Sequence, residues 1–148
     1  MTIDREQFEY WLADMDDALE RFFATLPPEV RDRLDYSPQS LDVLEQWMLS
    51  KYSKMEQVRQ PSESKTLDGI ARYIGETYRK NLGGHWEIRL DDPKYAFYGL
   101  PQLTGYSAKP TPSAPLPLAT AAVDRRTGNY WSTILANKME RAGKGPAR

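Results

Sequence analysis

Residues able to do chemistry are few in this chain, and their spacing narrows what they could do. There is no cysteine and one histidine, His85. Zero cysteines exclude disulfides, thiolate metal sites, cysteine nucleophiles and thiol redox work. One histidine excludes any site that needs two. His85 follows Gly83-Gly84 at an expected helix–strand junction, where an imidazole could act as a general base. No serine nucleophile or paired ligand lies beside it in sequence, so a half-exposed structural role competes with the catalytic one. The acidic clusters are Asp14, Asp16 and Asp17, and Asp91-Asp92. Carboxylates two or three apart on a helix converge poorly on one ion, and aspartate is common in turns anyway. No metal site and no cofactor is expected. Gly83-Gly84 is no phosphate loop, because it lacks the lysine and follows a helix instead of opening one.

The densest run is Tyr73-Ile74-Gly75-Glu76-Thr77-Tyr78-Arg79-Lys80-Asn81-Leu82-Gly83-Gly84-His85-Trp86. It reads as a helix with a close-packing glycine, a glycine stop, then a strand opened by a large aromatic. Gly75 costs about 1 kcal/mol in a helix interior, which implies that another element approaches the backbone there. Glu76 has two readings. It belongs to a solvated row with Asp68, Arg72 and Lys80 at i, i+4 spacing, or it is semi-buried against Arg79, Tyr73 or a backbone donor. In the second reading Tyr73, Glu76, Arg79, His85 and Trp86 would line a small-molecule pocket.

The run resembles a Tyr-Ile/Leu-Gly-Glu-x-x-Arg-x-Asn-x-Gly-Gly-x-Trp motif of small bacterial proteins with no assigned activity. Leu34 to Leu41 with Leu44 to Trp47 resembles a second element of the same group. The helix-Gly-Gly-Trp pattern is also similar to segments of immunity proteins that neutralise toxins. What the resemblance implies is a small, helix-rich bacterial protein; it carries over no catalytic residue.

The elements that must position these residues follow from periodicity. Phe8, Trp11, Leu12, Met15, Leu19, Phe22 and Leu26 form one apolar stripe, predicting a single helix over 4–26 that Pro27-Pro28 stops. Thr2 or Asp4 would cap it. A short helical turn is expected over Glu29–Leu34. Ser37-Pro38 suits an N-cap and first helical position, predicting a helix over Pro38–Tyr52. The polar stretch Ser53–Lys65 reads as a loop. A third helix is expected over Ser64–Leu82, ended by Gly83-Gly84. Trp86–Leu90 alternates apolar and polar residues, as a half-buried strand does. Asp91–Lys94 is a turn by composition, and Tyr95–Leu103 should return as the second strand. Gly105–Pro117, with four prolines, reads as an irregular surface connector within the domain. Leu118–Val123 and Tyr130–Arg141 read as helical. The expected fold is α+β: a mainly helical single domain over 1–142 with one β-hairpin or small antiparallel sheet, and a flexible basic tail over 143–148.

Length and composition bound the function. With 148 residues, 40% hydrophobic and 11% aromatic, the chain can bury a core. No stretch approaches the roughly 20 apolar residues of a membrane span. Met1–Tyr10 has no apolar run of an export signal, so the expected location is cytoplasmic. Net charge is −1, but residues 1–50 hold 4 Lys and Arg against 12 Asp and Glu, whereas 103–148 hold 7 against 2. Near-zero total charge argues against nucleic-acid binding. Poor catalytic vocabulary and an acidic first third point to a non-catalytic binding protein that meets a basic protein partner. Glu9, Asp16, Asp17 and Glu20, which avoid the apolar stripe, are the expected partner face. The alternative is a small enzyme or ligand-binding domain using the pocket residues above.

Overall fold

The computed structural model describes residues 2–107 and 112–144. Among them are eight α-helices and one two-stranded antiparallel sheet, which is the mainly helical α+β domain expected. The helices are α1 (Arg5–Ala13), α2 (Met15–Ala24), α3 (Pro28–Arg31), α4 (Pro38–Lys51), α5 (Met55–Val58), α6 (Ser64–Leu82), α7 (Pro115–Arg125) and α8 (Tyr130–Arg141); the strands are β1 (His85–Glu87) and β2 (Gln102–Thr104). No helix among the described residues is long and apolar enough to cross a membrane.

Helix α6 is the axis. Helices α2, α4, α7 and α8 and strand β2 all pack against it. Every residue from Gly69 to Tyr78 is buried, so α6 presents no solvated face over that span, as expected of a helix enclosed by others. The solvated-row reading is therefore corrected. Asp68 does accept from Arg72 Nε (2.6 Å), but Arg72 and Glu76 lie inside, and Glu76 turns to Arg79 instead of Lys80.

Several boundaries differ from the periodicity reading. The stripe over 4–26 is two helices, broken at Asp14, whose backbone (φ −84°, ψ 3°) leaves the helical region. Asp4 caps α1 in a reciprocal capping box with Gln7. The break lets α1 reach the hairpin, through Arg5 to Glu87 and Trp11 against Trp86, while α2 lies along α6. Leu12 stays 37% exposed, outside the core. Ser53–Lys65 contains α5 and a 3-10 turn over Pro61–Glu63 instead of plain loop.

The hairpin is shorter than alternation suggested. Its ladder pairs only His85 with Thr104, Trp86 with Leu103 and Glu87 with Gln102. Tyr95–Leu100 forms successive turns, because Gly99 sits at φ +69° and its N–H and C=O are taken by Arg89 and Ile3. The connector is corrected too. Leu103 exchanges backbone hydrogen bonds with Ser113, Ser113, Ala114 and Pro115 are buried, and α7 starts at Pro115, not Leu118. Prolines 115 and 117 sit in the first turn, where N–H groups have no intrahelical acceptor, so their missing donors cost nothing. Residues 108–111 of the connector and 145–148 of the tail lie outside the described residues.

Candidate functional site

The Tyr73–Trp86 run folds back on itself. Gly75 is bare because Trp86 occupies its side: a Cβ there would stand 2.0 Å from Trp86 Cη2 and 3.0 Å from Pro115 Cγ. That contact aims the indole N–H at Glu76, whose Oε2 accepts from Trp86 Nε1 at 2.8 Å. Arg79 closes on the same carboxylate, Nε to Oε2 at 2.8 Å and Nη2 to Oε1 at 2.9 Å. Glu76 is 5% exposed. Burial works to raise its carboxyl; the Arg79 fork and the Trp86 N–H outweigh burial and hold it below its ordinary value.

Tyr73 points elsewhere. Its hydroxyl meets Ser40 Oγ at 2.6 Å and accepts the Tyr36 N–H at 2.9 Å, while its ring stacks on Tyr36 at 5.0 Å. Tyr36 has a left-handed backbone (φ 64°), and its carbonyl accepts from Asn81 Nδ2 at 3.0 Å. Burial, with Tyr73 and Glu76 nearby, pushes the Tyr36 phenol up to about 12. The two sequence segments that carry the resemblance therefore touch through Tyr36, Ser40, Tyr73 and Asn81. His85 is exposed, on the edge of β1 with its ring beside Gly105. Of the five proposed pocket residues, the structure brings Glu76, Arg79 and Trp86 together. It sends Tyr73 toward α4 and leaves His85 outside.

Two surface depressions avoid these residues. One, of about 670 Å³, is lined by Gln7, Tyr10, Trp11, Ala13 and Asp14. The other lies between α2 and α6, over Phe22 and Gly69. No group of three or more metal-ligating side chains gathers among the described residues.

The four acids chosen from sequence for a partner face lie on α1 and α2. Glu9, Asp16, Asp17 and Glu20 are all exposed, and none forms an ion pair among the described residues. The two basic residues of α1 and α2 are taken, Arg5 by Glu87 and Arg21 by Asp14 (2.6 Å). Tyr10 stands on α1, 74% exposed.

Sequence reasoning missed several polar anchors. Glu45, fully buried, accepts the Tyr130 and Trp131 N–H groups at 3.0 Å each and so caps α8 from α4. Burial pushes its carboxyl up, against the pull of those amides. Arg126 donates to the carbonyls of Leu49 and Tyr52, both at 2.9 Å, closing the end of α4. Arg72, 3% exposed, donates to the Trp11 carbonyl at 2.8 Å and lies 4.3 Å from the Trp11 ring centroid, tying α1 to α6. Each spans more than 60 positions in sequence, except the local Arg72–Asp68 bond. Periodicity carries no signal for such pairs.

No protein-family model, curated protein or solved structure matches this chain.

Proposed function

We propose that this chain is a non-catalytic binding protein, of the toxin-immunity or regulatory kind, that recognises a basic protein partner through the outward face of α1 and α2. The observation that carries the reading is the set of exposed carboxylates Glu9, Asp16, Asp17 and Glu20, without ion pairs among the described residues. Such a face raises the encounter rate with a basic surface by electrostatic steering. Supporting it, both oxygens of Glu76 are already occupied, and neither depression described above adjoins it. Within the 73–86 run, Glu76, Arg79 and Trp86 are thus spent on one another, while Tyr73, Tyr78 and Asn81 bond α4, α8 and Tyr36. The resemblance of that run to immunity-protein segments favours a toxin as the partner.

The test takes as partner the product of an adjacent gene, or a protein captured from the source cell. Association rates are compared for the original chain and for Asp16→Lys with Glu20→Lys. The doubly reversed protein should associate more slowly at low salt, with the difference shrinking as salt screens charges beyond about 8 Å. Equal rates at low salt would remove the reading.

A further inference from the structure

Resting on that reading, we infer that the depression at the α1–α2 elbow seats an arginine side chain of the basic partner, with Tyr10 as its platform and Asp14 as its counter-charge. The molecule makes the same arrangement twice for its own arginines. Arg72 lies over the Trp11 ring, 4.3 Å from the centroid, while its Nε donates to Asp68 at 2.6 Å. Arg89 lies 4.2 Å from the Tyr95 centroid while its guanidinium spans both oxygens of Asp91 at 3.2 Å. A flat, weakly hydrated guanidinium gains from ring face and carboxylate together, which a lysine ammonium matches less well.

Tyr10 and Asp14, one helical turn apart, line one depression, and this pair has its ring uncovered. No aromatic ring or cation reaches Tyr10 among the described residues. Asp14 gives Oδ2 to Arg21, which leaves Oδ1 without a hydrogen bond among those residues. That Arg21 already binds here shows that the carboxylate accepts a guanidinium in this setting. A second copy of the chain is a poor occupant. A two-fold contact would set Glu9 and its neighbours on α1 and α2 against identical carboxylates, and like-charge juxtaposition is costly. A basic segment meets the opposite charge.

The test uses the full chain and two labelled probes of equal charge, hexa-arginine and hexa-lysine peptides, with binding followed by fluorescence anisotropy at low salt. The arginine peptide should bind more tightly than the lysine peptide, by at most about fivefold, the whole worth of an exposed cation–ring contact. Tyr10→Ala should reduce that preference, and Tyr10→Phe should keep it. Asp16→Lys with Glu20→Lys should weaken both peptides alike. A preference unchanged in Tyr10→Ala overturns the arginine seat. If the charge reversal still weakens both peptides in that case, the acidic-face reading survives. If neither peptide binds, or the reversal changes nothing, both fail. A sedimentation coefficient of the unliganded chain that drops in Tyr10→Ala would assign the depression to self-association and overturn the inference.

Discussion

At the scale of single residues, Gly75 and Glu76 hold the hairpin to α6. Trp86 fills the space a Gly75 side chain would need. Gly75→Leu should therefore lose about 1–3 kcal/mol by overpacking, despite better helix propensity, as read by urea unfolding; an unchanged or raised midpoint would show that Trp86 can move aside freely. Glu76 is the polar half of the same joint. Glu76→Ala leaves the buried Trp86 N–H unpaired, a loss of about 1–3 kcal/mol. The joint also depends on pH. Because the folded carboxyl titrates below its ordinary 4.5, its stabilising contribution is complete above that value. It is lost as pH falls through the lower, folded value. The stability gap between the original chain and Glu76→Gln should thus be widest at neutral pH and narrow in acid. A gap that widens below pH 4.5 would mean that Glu76 is held neutral in the fold.

At the scale of elements, some helix ends are finished locally and others by distant residues. Asp4 and Ser37 cap α1 and α4 from the local chain. For α8, Asn129 makes no side-chain cap bond, and Glu45 of α4 supplies the acceptor. The end of α4 is closed in turn by Arg126, just past α7. The caps join α4, α7 and α8 into one assembly, so losing one should be felt in its neighbour. Glu45→Ala should speed hydrogen exchange at the Tyr130 and Trp131 amides, at the first turn of α8, with a loss of about 0.5–2 kcal/mol typical of a removed cap. Unaltered exchange at those two amides would show that another acceptor or water replaces the carboxylate without cost.

Across the whole molecule, charge separates by function. Among the described residues, the buried charged side chains are satisfied: Arg72 pairs with Asp68 and Glu76 with Arg79, and Glu45 accepts the Tyr130 and Trp131 amides, as desolvation demands. The exposed carboxylates of α1 and α2 form no ion pair among the described residues, so they contribute little to folding. Asp16→Lys with Glu20→Lys should leave the unfolding free energy within about 0.5 kcal/mol of the original, read by denaturant titration at moderate salt. A larger loss would mean that these acids stabilise the fold, Asp16 through Arg79 nearby; slower partner capture could then not be assigned to steering alone.

How much was legible in advance differs by range along the chain. The bounds of α6 and α8, the Ser37-Pro38 start of α4 and the Gly83 stop are local events. Apolar spacing, a capping side chain and a residue that tolerates positive φ act within a turn or two, and such rules operate before any tertiary contact forms. The glycine at 75 announced a close neighbour for the same reason. Its identity, Trp86, depended on how the hairpin folds back. Local rules failed where two long-range contacts competed with the pattern. The 4–26 stripe has continuous helical period, yet it breaks at Asp14 because α1 is drawn to Trp86 and Glu87 while α2 is drawn to α6. The second strand has strand-like aromatics, yet the bonds of Gly99 to Arg89 and Ile3 hold that stretch in turns. The burial of Glu45, Arg72 and Glu76 was likewise decided in three dimensions. A charged side chain is solvated by default, and only a folded chain can bring together enough donors and acceptors to replace water.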